Sequence, residues 1–94
     1  MPDMLTPEDV TLILRALDAI SRYPLSYFAL NRAEQIKRRI MAGYLTFNSG
    51  EIGNICIGLE LLLDDNPLDW KVSQLLSRLR KDLAAADPRR GNGA

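Results

Sequence analysis

The sequence predicts an all-α fold of four helices, arranged as two related antiparallel hairpins. Three observations point there. Hydrophobic residues make up 47% of the chain but aromatic residues only 6%, so the core must be mostly Leu, Ile, Val and Ala. Such aliphatic residues, mixed with abundant Ala, Glu, Lys and Arg, favour helix over strand. Apolar positions recur at intervals of three and four through stretches separated by Pro, Gly and Asn. Finally, the second half of the chain lies on the first at an offset of about 43 residues. A chain of 94 residues makes one domain. It is expected over residues 1–86, with hairpin one at about 7–43, hairpin two at about 46–86, and a flexible tail at 87–94.

The first helix begins at Thr6-Pro7-Glu8-Asp9. Thr6 can cap, Pro7 suits the first helical position, and the two acids favour the positive end of the helix dipole. This helix runs to about Arg22 and is stopped by Pro24. The second opens at Ser26 or at Asn31, where Asn31 with Glu34 resembles a capping box; Tyr27 to Leu30 then read as a first turn. Gly43 is its natural stop. The third starts between Thr46 and Glu51, beside the turn-like Asn48-Ser49-Gly50, and ends at Asp64-Asp65-Asn66-Pro67. Asp69 caps the fourth, which fades into Ala84-Ala85-Ala86.

The internal match is sharpest at the turns, where Tyr23-Pro24-Leu25-Ser26-Tyr27 corresponds to Asn66-Pro67-Leu68-Asp69-Trp70. Upstream, the same offset sets Leu12, Ile13, Leu14, Ala16, Ala19 and Ile20 on Ile55, Cys56, Ile57, Leu59, Leu62 and Leu63; downstream, Ile36-Lys37-Arg38 and Ile40 fall on Leu79-Arg80-Lys81 and Leu83. Asp65-Asn66-Pro67-Leu68-Asp69 followed by an amphipathic helix resembles the boundary between tetratricopeptide repeats. The resemblance covers only those residues, because the period is too long and the small-residue and aromatic pattern within the helices is missing. What it implies is that stacked helical hairpins tend to bind other proteins.

The helix faces differ between the members of each pair. The second and fourth carry single stripes: Ala29, Leu30, Ala33, Ile36 and Ile40, then Leu68, Val72, Leu75, Leu76, Leu79 and Leu83. The first carries Val10, Ile13, Leu14 and Leu17 on one side and Leu12, Ala16, Ala19 and Tyr23 on another. The third carries Ile52, Ile55, Cys56, Leu59, Leu62 and Leu63, with Gly50, Asn54, Ile57 and Leu61 opposite. A helix apolar on two sides must be sandwiched, either inside the monomer or against a partner. Gly53 and Gly58 each cost about 0.8–1 kcal/mol in a helix and let another backbone approach. Three readings stand: a tight crossing within the monomer, a homodimer seam through Gly50, Gly53, Ile57 and Leu61, and an irregular helix start at Gly50 and Gly53 to which neither applies.

Several chemistries have no residues to support them. There is no histidine, so His-based triads, His-activated thiols and His-ligated zinc are excluded. Cys56 stands alone, allows no internal disulfide, and reads as a small buried hydrophobe. Asp64-Asp65-Asn66-Pro67-Leu68-Asp69 lacks the alternating acids, glycine and distal glutamate of a calcium loop. No cofactor or metal is expected, and the chain is expected to be non-enzymatic. The formal net charge is zero, apolar runs are too short for a bilayer, and no signal segment is apparent, so a cytoplasmic location is expected.

The cations Arg32, Lys37, Arg38 and Arg39 of the second helix, with Arg78, Arg80 and Lys81 of the fourth, would serve a nucleic-acid accessory protein. On a helical wheel they do not converge on one line, and no aromatics interleave for base stacking. Helix-turn-helix docking fails because the third helix is too apolar for a groove. Intrahelical pairs Asp18–Arg22 and Glu34–Arg38 would absorb part of the charge. Tyr27 and Trp70 occupy matching positions; they are expected to cover the preceding turn, or, if exposed, to anchor a partner. Tyr44 and Phe47 are expected to pack between the hairpins. The favoured reading is an adaptor, assembly factor or inhibitor that binds another protein or itself. A nucleic-acid accessory role and a non-catalytic subunit of a larger enzyme are the alternatives.

Overall fold

The computed structural model describes residues 5–23 and 27–86. Four helices follow in order: α1 (Pro7–Arg22), α2 (Tyr27–Met41), α3 (Ser49–Asp65) and α4 (Trp70–Ala86). No strand occurs among the described residues. The stop expected at Pro24, the start at Ser26, and the tail 87–94 lie outside the described residues.

Each boundary has a local cause. Thr6 accepts a hydrogen bond from the Asp9 amide at 3.0 Å, and Asp9 accepts one from the Thr6 amide at 3.1 Å, closing a capping box with Pro7 at the first position. Asn48 and Glu51 repeat the device at the head of α3, at 2.8 and 2.9 Å. The capping box expected at Asn31–Glu34 does not form there. Tyr27 to Leu30 are already helical, so Asn31 is an exposed position one turn inside α2 with no free helix end to cap. Gly43 adopts φ +95°, the left-handed region that favours glycine. Its amide donates to the Ile40 carbonyl and the Tyr44 amide to that of Arg39, both at 2.9 Å, which makes a Schellman stop. Asp69 accepts from the Val72 amide at 3.3 Å and caps α4.

The first member of each hairpin is central. α1 packs against α2 and α3, while α3 packs against α1, α2 and α4. Ile13, Leu17 and Ile20 of α1 and Ile55 and Leu59 of α3 are sealed from solvent, joined by Ile36 of α2 and Val72 and Leu75 of α4. α1 and α3 cross at Ala16 and Gly58, so closely that a Cβ on Gly58 would lie 2.6 Å from the Ala16 carbonyl carbon. The tight crossing within the monomer is therefore the role of Gly58. Ile57 and Leu61 are half-buried against the core rather than standing free.

The repeat is visible in three dimensions. Buried Ile13, Leu17 and Ile20 correspond to Ile55, Leu59 and Leu62; buried Ala33 and Ile36 correspond to Leu76 and Leu79. Within each hairpin an ion pair joins the two helices at equivalent places, Asp18–Lys37 at 2.7 Å and Glu60–Arg80 at 3.2 Å. The single offset of about 43 is corrected for the first helices: it is 42 from Thr6 to Asn48, so that Ile13 rather than Leu12 answers Ile55, and 43 only further on, from Tyr27 to Trp70. The extra residue makes α3 one position longer than α1.

Three expected packing positions are corrected. Leu68 precedes α4 and stands in solvent, so the stripe of that helix begins at Val72. Tyr23 is the exposed C-cap of α1, beyond the buried Ala19 and Ile20. Beyond Gly43, Tyr44 is exposed, while Phe47 turns in and packs on the core from the α2–α3 connection.

Candidate partner-binding site

The second helices begin with large side chains in water. Tyr27 and Phe28 are each 84% exposed at the start of α2; Leu68 at 89% and Trp70 at 62% flank the start of α4. Trp70 thus leaves most of its surface in water rather than covering the turn before it, while the turn before Tyr27 lies outside the described residues. As the first described residue of α2 and the first residue of α4, each projects away from the buried stripe of its helix. Trp70 carries the Lys71 ammonium 5.9 Å from its ring centroid, within cation–π range.

Beside Phe28, an open cleft of about 380 Å³ runs between α2 and α3. Phe28, Ala29 and Arg32 line it from α2; Gly50, Gly53, Asn54 and Ile57 line it from α3. Gly53 sits where an added Cβ would meet nothing within 4 Å, which is the opposite of Gly58. The floor is fixed by Asn54, a buried side chain whose amide donates to the Ala29 carbonyl at 3.4 Å. Arg32 lies over the first turn of α3, with its guanidinium carbon 3.6 Å from where a Gly50 Cβ would be. Of the residues assigned to a dimer seam, Gly50, Gly53 and Ile57 share this cleft; Leu61 lies a turn further along α3, outside it.

Comparison with known protein families, curated proteins and solved structures returns no match.

The cations are largely committed to acids. Lys37 is held by Asp18, Arg39 by Glu51, Lys71 by Glu8 at 2.9 Å, Arg78 by Asp9 at 3.2 Å and Arg80 by Glu60. Asp18 is thus spanned by Lys37 across the hairpin rather than by Arg22, and its hydrogen bond, with Asp18 and Glu34 nearby, raises the Lys37 pKa. Arg39 also donates to the Thr46 carbonyl at 3.2 Å, tying α2 to the following connection. Sequence reasoning missed that Asp9 and Glu51 serve twice: each closes a capping box and each accepts an arginine from the second helix of the other hairpin. Of the seven cations considered for phosphate contact, Arg32, Arg38 and Lys81 have no carboxylate partner among the described residues. They sit on different helix faces.

A second, more polar cleft of about 470 Å³ lies where the ends of α1 and α3 approach, lined by Arg15, Asp18, Ser21, Arg22, Leu62, Asp65 and Asn66. Its charges are mixed and open to water. Cys56 is buried on α3, where burial pushes its thiol pKa up, with Arg80 opposing. That is the environment of a packed thiol, not of an activated nucleophile. No group of acids and Cys that could hold a metal occurs among the described residues. No helix among them is long and apolar enough to cross a membrane.

Proposed function

We propose that this chain is a non-enzymatic helical binding module, an adaptor, assembly factor or inhibitor that engages another protein. One observation carries the reading: Tyr27 and Phe28 stand exposed at the start of α2, and Phe28 edges an open cleft between α2 and α3. Aromatic side chains at the edge of a pocket are the usual anchors of protein interfaces. Trp70 provides a second aromatic at the equivalent place in the other hairpin.

The test compares the full chain with a Tyr27→Ala/Phe28→Ala/Trp70→Ala variant as bait under native conditions. All three side chains are exposed, so the variant should keep its melting temperature within a few degrees. The expected result is a stoichiometric partner retained by the parent and lost from the variant. A partner held equally by both, or none held by either, would count against the reading.

A further inference from the structure

The repeat provides an internal template for what the α2/α3 cleft lacks. In the other half, the positions equivalent to Gly50, Gly53, Asn54 and Arg32 are Glu8, Thr11, Leu12 and Leu75. There Leu12 and Leu75 are buried, and Glu8 of α1 is joined to Lys71 of α4 at 2.9 Å. Lys71 is itself the counterpart of Phe28. One side of the molecule therefore carries an aliphatic side chain and, one helical turn before it, a carboxylate that meets a cation. The other side carries a glycine for the carboxylate, an asparagine for the leucine, and a cation, Arg32, that no carboxylate meets among the described residues.

We propose that the α2/α3 cleft receives an acidic amphipathic segment of a partner protein. A bulky aliphatic or aromatic side chain of that segment lodges over Gly53, between Phe28 and Ile57. A carboxylate one turn away pairs with Arg32, as Glu8 and Leu12 are spaced in α1. This rests on the reading of the chain as a protein-binding module and names the chemistry of its partner. Charge selects this occupant over a second copy of the chain. The cleft is lined by one arginine and no acid, so a two-fold packing of the face on itself would bring Arg32 towards its own copy.

The test is selection of a random 16-residue peptide library on the full-length chain, followed by affinity measurement of the enriched peptides. The expected peptides pair an acidic residue with a bulky apolar one at helical spacing. Gly53→Leu fills the cleft with a better helix former and should weaken them about thirtyfold. Arg32→Glu should weaken them about tenfold and shift a repeated selection towards basic peptides. Gly53→Ala is the milder replacement should Gly53→Leu fail to fold. Neutral or basic peptides enriched on the parent chain would overturn the proposal, as would peptides indifferent to both cleft variants. If such peptides instead depend on Trp70, the cleft is wrong while the binding-module reading survives. No enriched peptide overturns the cleft proposal, and the bait comparison decides the broader reading separately. A concentration-dependent dimer that Gly53→Leu abolishes would assign the cleft to a second copy and overturn the acidic partner.

Discussion

Gly58 and Gly53 lie five residues apart in one helix, yet replacing each by alanine should move stability in opposite directions. Propensity alone gives both substitutions a gain of about 0.8–1 kcal/mol. At Gly53 nothing lies within 4 Å of the new methyl, so that gain should be realised. At Gly58 the methyl would sit 2.6 Å from the Ala16 carbonyl carbon and 2.9 Å from its Cβ, with the carbonyl oxygen closer still. These are mostly backbone atoms that cannot turn aside, so α1 and α3 must separate. The separation loosens a seam sealed by Ile13, Leu17, Ile55 and Leu59. Overpacking of this kind costs about 1–3 kcal/mol and occasionally more; with the seam disturbed, the upper end applies, leaving a net loss of about 2 kcal/mol. For a domain of this size that lowers Tm by on the order of 10 °C, while Gly53→Ala raises it by about 4–8 °C. Thermal and urea unfolding followed by circular dichroism reads both. Adding Ala16→Gly to Gly58→Ala should restore little, because the carbonyl group remains. A Gly58→Ala variant as stable as the parent chain would refute the crossing argument.

Three further outcomes are expected. Asn48→Ala removes the cap that receives the Glu51 amide and should cost about 1 kcal/mol in urea unfolding, whereas Asn31→Ala, inside α2, should be near neutral. Leu75→Ala in the core should cost about 2–5 kcal/mol, whereas Leu68→Ser, on an exposed turn, should stay within about 0.5 kcal/mol. Stability should also fall on the alkaline side. Cys56 and Lys37 both have folded-state pKa values raised above their ordinary ones, so the folded chain holds both protons more tightly. Their contributions are complete below the ordinary values and are lost as pH rises through the folded ones. Urea titrations at about pH 8 and about pH 10.5 should show the loss, and Cys56→Ala should reduce it. An equal loss in the variant would remove Cys56 from the account.

What the sequence made legible was local or periodic. Thr6-Pro7, Gly43 and Asp69 act within one turn of themselves, and each does what its residue type allows. The two-sided greasiness of α1 and α3 implied that both are sandwiched, and they occupy the centre. The Asn-x-x-Glu pattern was ambiguous because it occurs twice, at Asn31–Glu34 and at Asn48–Glu51. Only the conformation of the preceding residues decides which one caps: Tyr27 to Leu30 are helical, while Thr46 and Phe47 are not. Partners distant in sequence were hidden for the same reason. Asp18 has Arg22 four residues away, yet the packing of α1 on α2 brings Lys37 within 2.7 Å. The α2/α3 cleft was only half legible: its glycines stood out, but the absence of a neighbour above Gly53 depends on where α2 lies.

The imperfections of the repeat carry more information than its agreements. Positions such as Ile13 and Ile55, or Ile36 and Leu79, agree because both halves must fill the same kind of core. Nothing in that requirement explains Asn54 where α1 has Leu12. A buried asparagine gives up apolar contact and needs a hydrogen bond to be tolerated, which the Ala29 carbonyl supplies at 3.4 Å. Arg32 in place of Leu75, and Gly50 in place of Glu8, likewise forgo packing and an ion pair that this fold demonstrably accommodates on its other side. Three such departures line one cleft. On the opposite side the equivalent positions carry the Glu8–Lys71 ion pair and the buried Leu12 and Leu75, so the demands of the core alone do not dictate Gly50, Asn54 and Arg32.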